Sequence, residues 1–206
     1  MESSIFPNIS TNIILASKSK SRSDILAGAG LKFECVAPQV DEAAILESLK
    51  DSDLGASDLA EILARAKAEA VSLKYGSACV IGGDQVLALD DRIFTKADGF
   101  EAARDTLLAL SGRRHQLHSA VVVAIDGETR WAHVETVDMT MREMSPAFIG
   151  RYLGIAGEAV YRSVGAYEVE GLGVQLFDKI EGDHFTVRGL PLVALLNHLY
   201  ETGVLS

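Results

Sequence analysis

Apolar residues near the start of the chain fall into short runs separated by polar turns, and further on they settle into helical and then alternating patterns. NIILAS reads as a first strand, and SKSRSDILAGAG as a serine-capped helix closed by Gly30. LKFECVAPQ is the next strand-like run. From Ser57 to Lys74, Leu59, Ile62, Leu63, Ala66, Ala70 and Leu73 keep a helical period, which Gly76 stops. A strand from Ala78 to Gly82 follows, then the strand-like DRIFT. Asp98 and Glu101 form a D-x-x-E capping pair ahead of the amphipathic stretch FEAARDTLLALSG.

The pattern changes after that helix. HQLHSAVVVAI and TRWAHVETVDMTMREM flank Asp126-Gly127, a hairpin signal between two long antiparallel strands. Ser145-Pro146 predicts a helix running toward Gly157. A glycine-rich strand segment, GAYEVEGLGVQLFDKIEG, and a last helix, LPLVALLNHLYETG, close the chain. Early alternation of strands and helices followed by hairpins predicts an α/β fold, a mixed twisted sheet with flanking helices. In such sheets ligands sit beyond the carboxyl ends of strands. The loops after IILA, FECVAPQ and CVIGG therefore share a neighbourhood.

Composition narrows the function classes. With 206 residues, 48% of them hydrophobic and 23% charged, the chain has enough apolar surface to fold alone and is read as one domain over residues 1–206. A net charge of −10 disfavours nucleic acid and anionic membranes as partners, though not a small anionic ligand held by a local basic group. MESSIFPNIS lacks a basic leader region, and no run reaches the roughly 18 apolar residues of a membrane span, so the expected location is cytoplasmic. Cys35 and Cys79, each in a strand-like run, read as small buried hydrophobes in a reducing compartment.

One stretch resists a purely structural reading. ACVIGGDQVLAL is apolar around Asp84, and an unpaired buried charge is costly. Ser17, Ser19 and Arg22 lie in the first of the three loops, and Asp41 and Glu42 in the second. Carboxylates beside hydroxyl and basic groups suit phosphate chemistry: hard oxygen ligands hold Mg²⁺, and Lys or Arg neutralises phosphate oxygens. Lys67 and Lys96 are further candidates, although Lys67 alone reads equally as a lysine whose stem covers the core edge, and Asp41 and Glu42 as turn residues. Other chemistries lack their patterns. No phosphate-binding G-x-x-x-x-G-K-[ST] or nucleophile-elbow G-x-S-x-G string occurs. His115 and His118 point to opposite faces of a strand, and His133, His184 and His198 are isolated in sequence.

With those residues assembled, the chain resembles the Maf-like nucleoside triphosphate pyrophosphatases. The blocks ILASKSKSRSDILAGAGLKFECVAPQVDE, LARAKAEAV, VIGGDQV, LSGRRHQLHSAV, VGAYEVEGLGVQLFDKIEGD and VRGLPL carry the resemblance over nearly all of the chain. It implies hydrolysis between the α and β phosphates of a nucleotide, a divalent metal (Mg or Mn), a homodimer, and two lobes around a central cleft in the Maf/inosine triphosphatase-like manner. Asp84 falls on the family's catalytic aspartate in the G-D-[TQ]-V block and Glu42 on the second acid of V-D-E. The resemblance makes Asp84 a base or metal ligand, Glu42 its partner ligand, and Ser17, Arg22, Lys67 and Lys96 phosphate contacts. Where the family commonly has S-x-S-P-R-R, Lys20 and Ser21 stand before Arg22, so Lys20 offers a point charge in place of one arginine. The K-P pair is likewise reduced to Lys96-Ala97.

Three positions bear on the base. FECVAPQVDE, Gln85 in G-D-Q-V, and Glu170 where other branches carry glutamine resemble the 7-methyl-GTP branch. A carboxylate at Glu170 can accept from the guanine N1–H and N2–H₂ edge and attract a cationic 7-methylated ring. Ser21 replaces the large aromatic that this branch often has, removing a stacking platform. A broader nucleotide pyrophosphatase, or a nucleotide-binding regulator of septum formation with weak catalysis, are the alternatives.

Overall fold

The computed structural model describes residues 10–50 and 52–206. The reading of the first nine residues lies outside that range. Strands β1 (Ile13–Ala16), β2 (Glu34–Cys35), β3 (Cys79–Leu89), β4 (Arg92–Phe94), β5 (Arg114–Ile125), β6 (Glu128–Met141) and β7 (Phe177–Glu181) form one sheet of order β2-β1-β3-β5-β6-β7, with β4 added to β3. Pairing is parallel for β1 with β2 and β3, and antiparallel for β3 with β4 and β6 with β7. The sheet is therefore mixed. The helices are α1 (Lys20–Gly28), α2 (Glu42–Ser48), α3 (Ala56–Tyr75), α4 (Phe100–Leu110), α5 (Pro146–Ala156), α6 (His184–Val187) and α7 (Leu192–Glu201). Among the described residues no helix is long and apolar enough to cross a membrane.

Contacts divide the chain into two compact units, residues 1–84, 119–135 and 189–206, and residues 85–118 and 136–188. In the first, all of β1 is buried, and Ile14 and Ala16 pack with Val71, Ala78 and Val80. In the second, Leu107 and Leu110 of α4 meet Leu117, Met139 and Met141 of the strands, Ile149 of α5 and Tyr167. Each unit thus has its own apolar core, built from the stripes and alternations visible in the sequence.

Local punctuation behaves as expected at several points. Ser19 accepts from the Arg22 N–H at the start of α1, and Ser145 from the Phe148 N–H at the start of α5. The β5–β6 hairpin turns through Asp126 and Gly127, with φ of 52° and 78°, the two left-handed positions of a type I′ turn.

Other expectations are corrected. The strand predicted to stop at Gly82 runs on to Leu89: β5 lies beside β3 in the sheet, and beyond the end of β1 the other edge is taken up by β4 at Leu87–Leu89. Asp98 does not cap α4. Gly99 stands at the N-cap with φ of 93° and no side-chain hydrogen bond. LKFECVAPQ contributes only two strand residues, and Cys35 is exposed where a buried thiol was expected. Cys79 is buried, and desolvation pushes its thiol up to about 11. Most of GAYEVEGLGVQLFDKIEG is not strand either: residues 172–176 form a 3₁₀ turn ahead of β7. A Cβ at Gly173 would come within 2.5 Å of the Glu168 carbonyl oxygen, so the chain doubles back on itself there.

Two histidines of β5 are buried among polar partners in the second unit. His115 Nε2 and the Tyr167 hydroxyl share a 2.8 Å hydrogen bond, and His118 Nδ1 and Thr136 Oγ1 one of 2.9 Å. His115 Nδ1 is buried without a partner among the described residues, and desolvation lowers its pKa to about 4. An unfolded chain holds imidazole near 6.5, so between the two values the unfolded state binds more protons. Stability contributed by the neutral imidazole is therefore lost as pH falls through that window. His115→Gln should shrink the difference in unfolding free energy between pH 7 and pH 4 by roughly 3 kcal/mol, measured by urea titration. An unaltered pH dependence would mean that the imidazole is not held neutral by the fold.

Candidate active site

Asp84 lies in the middle of β3, only 8% exposed, and its carboxylate meets the ammonium of Lys67, itself 7% exposed. The two glycines before it explain how a helix lysine reaches a strand. Gly82 and Asp84 share a face by the two-residue alternation of a strand. A Cβ at Gly82 would lie 2.5 Å from the Ala64 carbonyl oxygen and 2.8 Å from Ala68 Cβ. The absent side chain lets α3 press its backbone onto β3, and Lys67 sits between those two alanines in sequence. Lys67 is therefore buried in an ion pair, and its stem does not simply cover an exposed edge.

Strand register sets the rest. Ala16, the last residue of β1, pairs with Gly82, so Asp84 lies beyond the carboxyl end of β1, level with the loop that begins at Ser17. Ser17 is buried, and its hydroxyl accepts from the Ser19 N–H at 3.1 Å and from Arg22 Nη1 at 3.4 Å. Arg22 Nε donates to the Gly189 carbonyl at 2.7 Å. A Cβ at Gly83 would come 3.2 Å from that Nε, so the second glycine makes room for the guanidinium. Burial lowers the Arg22 pKa, and the charges of Asp84 and Glu42 act in the opposite direction.

Asp41 and Glu42 turn out to divide their work. Asp41 is the N-cap of α2, accepting from the Ala44 N–H at 3.0 Å, while Glu42 opens the helix and its Oε1 lies 3.0 Å from Lys67 Nζ. What read as a turn is the start of a helix. Sequence patterning passed over α2 because none of its residues is buried, leaving no apolar stripe to see. Lys20 is exposed on α1, where its ammonium pairs with Asp24 at 2.6 Å.

The cluster formed by Arg22, Lys67, Glu42 and Asp84 holds two cations and two anions. A polyphosphate would add negative charge that these residues already balance among themselves, which favours an additional cation. Glu42 and Asp84 supply hard oxygens, and among the described residues no group of three or more His, Cys, Asp or Glu could cage a metal ion. Two carboxylates completed by substrate phosphates are a common way of holding Mg²⁺. The donor set fits a divalent ion of that kind.

Gln85, Lys96 and Glu170 belong to the second unit. Gln85 Nε2 donates to the Thr186 and Val187 carbonyls at 3.2 and 3.0 Å. Glu170 Oε1 accepts from Arg188 Nε at 2.5 Å. Lys96 is exposed between β4 and α4, and Ser21 is half-buried on α1 in the first unit. Arg188 went unnoticed in the sequence, although it stands inside the VRGLPL block as that block's one charged residue. The histidines that looked isolated are partly not so: Trp131 stacks on His198 at 4.5 Å and on His133 at 5.9 Å between ring centroids.

Removing the lysine tests how buried this arrangement is. Lys67→Met should leave Asp84 without its closest cation and cost about 3–5 kcal/mol in urea unfolding. Lys67→Met combined with Asp84→Leu should recover part of that loss. A single variant within about 0.5 kcal/mol of the parent would show a solvated pair that stabilises little.

A family model described as Maf-like protein matches residues 12–202. The chain is 50% identical over 191 residues to the 7-methyl-GTP pyrophosphatase of Brucella abortus, covering 93% of this chain and 96% of that one. It is 50% identical over 194 residues to the protein of the same name from Mesorhizobium japonicum, covering 94% and 98%. The Caulobacter vibrioides nucleoside triphosphate pyrophosphatase is 49% identical over 196 residues, covering 95% and 98%. Among solved structures, a nucleoside-triphosphatase (dITP/XTP pyrophosphatase) from Mycobacterium abscessus superposes with a TM-score of 0.43 at 19% identity, over 91% of this chain and 99% of that one. By the match along almost its whole length and the identity to these relatives, the chain belongs to the Maf-like family.

Proposed function

We propose that the chain, acting as one domain along its length, is a nucleoside triphosphate pyrophosphatase that releases a nucleoside monophosphate and pyrophosphate, with 7-methyl-GTP or another modified nucleotide as substrate. The observation that carries this reading is the buried Asp84–Lys67 pair with Glu42, Ser17 and Arg22 around it at the carboxyl end of β1. Names borne by relatives near 50% identity support the substrate class.

In this reading water attacks the α-phosphorus and the bond from it to the bridging oxygen breaks, so pyrophosphate leaves with the bonding electrons. Asp84 accepts the proton of the attacking water, and Lys67 holds the carboxylate in place. Arg22, Ser17 and Lys96 contact phosphate oxygens, where charge-assisted hydrogen bonds strengthen as charge moves toward the leaving group. A divalent ion held by Glu42 and Asp84 would supply charge neutralisation at the phosphates. Glu170 reads the base edge. The cytoplasmic location expected from the sequence and a homodimer, which rests on the family alone, complete the proposal.

Relatives from Caulobacter vibrioides and Rhodospirillum rubrum, at 49% and 48% identity, carry the broader name of nucleoside triphosphate pyrophosphatase, so a wider substrate range is the second reading. Pyrophosphate release measured over 7-methyl-GTP, GTP, UTP and dTTP with Mg²⁺ and Mn²⁺ decides between them: comparable kcat/KM for all four would reject methyl-guanine selectivity. Asp84→Asn, nearly isosteric, should lower kcat by about 100-fold or more while leaving the fold intact. If most of kcat survives, Asp84 is not the proton acceptor. Glu170→Gln should weaken both guanine nucleotides and improve UTP and dTTP, since an amide matches the donor and acceptor pattern of a pyrimidine. Four unmoved values would remove Glu170 from base recognition.

A further inference from the structure

Glu170 is not a lone acid. Its Oε1 receives the Arg188 Nε–H at 2.5 Å, and the Arg188 side chain is only 18% exposed against 38% for Glu170. Arg188 in turn stands on firmly held backbone. Asp183 caps α6, its Oδ2 accepting from the Thr186 N–H at 2.7 Å and the Thr186 hydroxyl at 2.9 Å. Thr186 is fully buried, and Gln85 clamps the end of the same turn through the Thr186 and Val187 carbonyls. Arg188 is the C-cap that follows, its N–H donating to the His184 carbonyl at 3.3 Å. The side chain that leaves this anchored point is mostly buried and ends on the Glu170 carboxylate.

Two consequences follow for a base read by Glu170. The guanidinium holds one carboxylate oxygen by a charge-assisted hydrogen bond, which narrows the side chain's freedom before a ligand binds. It also sets a fixed positive charge against the negative one. A bare carboxylate favours a cationic 7-methylated ring over neutral guanine by direct attraction, whereas a carboxylate matched by arginine retains its acceptor oxygens and loses much of that preference. Gln85, at the position read as a specificity residue, acts on this arrangement through the backbone.

Resting on the reading of Glu170 as the base-contacting acid, we propose that Arg188 is a specificity-setting residue: it orients Glu170 and offsets its charge, so that guanine is recognised by its hydrogen-bonding edge more than by the charge of its ring. Arg188 is thus a positioning residue, distinct from the phosphate chemistry.

The test is kcat/KM for 7-methyl-GTP and GTP in the full chain and in Arg188→Met, Arg188→Lys, Glu170→Gln and the Arg188→Met/Glu170→Gln double variant. Arg188→Met should raise KM for GTP more than it lowers kcat, and raise the ratio of 7-methyl-GTP to GTP by on the order of tenfold. Arg188→Lys, which keeps the charge, should hold the ratio near the parent value. In the Glu170→Gln background the added Arg188→Met change should leave the ratio where Glu170→Gln put it. If Glu170→Gln moves the ratio and Arg188→Met does not, Arg188 is refuted and Glu170 stands. If neither moves it, both assignments fall. A rise that Arg188→Lys shares also refutes the proposal, because packing would then be responsible. Should Arg188→Met lower thermal stability enough to prevent assay, Arg188→Gln removes the same charge with a polar side chain and is held to the same outcomes.

Discussion

The first unit is organised around one constraint: a carboxylate placed inside a buried strand must find a cation without leaving the strand. Asp84 finds Lys67, and the meeting requires the helix to approach β3 more closely than side chains normally permit. Gly82 provides that approach by presenting no Cβ to Ala64 and Ala68. Gly83 does the same on its own side for Arg22. The small residues and the charges are therefore parts of a single arrangement, and a bulky residue at either glycine would separate the groups before it disturbed their chemistry.

Charge balance gives the cluster its second property. Left alone, two carboxylates close together repel, and a buried cation such as Lys67 is costly to desolvate. Interleaved, Lys67 between Glu42 and Asp84, with Arg22 feeling both acids, they stabilise one another while retaining oxygens and N–H groups with unused hydrogen-bonding capacity. A neutral cluster of this sort is poised to take up an anion and a cation together, which is what a metal–polyphosphate complex is. In the second unit the same economy appears at Glu170, whose charge is met by an arginine anchored through Thr186, Asp183 and Gln85.

Much of this was legible in the linear chain. The helical stripe from Leu59 to Leu73, the Asp126-Gly127 turn and the serine caps at Ser19 and Ser145 are local signals, and each element formed where its signal lay. Local signals also misled. A glycine pair looked like a strand end because glycine ordinarily weakens strands, yet β3 continued between β5 and, at its far end, β4, neighbours that no adjacent residue announced. Asp98 looked like a cap until the left-handed Gly99 took its place, and Cys35 looked buried in a strand-like run, although among the described residues β2 has only β1 as a partner and shows its side chains to solvent.

The sequence by itself determined the helices with apolar stripes, the hairpin, and the oddity of an aspartate among apolar residues, because those depend on neighbours a few positions apart. It also carried the family resemblance, which follows from ordered blocks. Only tertiary structure decided that Lys67 is buried against Asp84, that Glu42 joins them while Asp41 merely caps a helix, and that Glu170 faces Arg188. Those pairings span 17 residues for Lys67 with Asp84 and 18 for Arg188 with Glu170. At such separations no backbone periodicity links the partners, and the free energy that selects them comes from desolvating charges together in a place that exists only once the sheet and helices have packed.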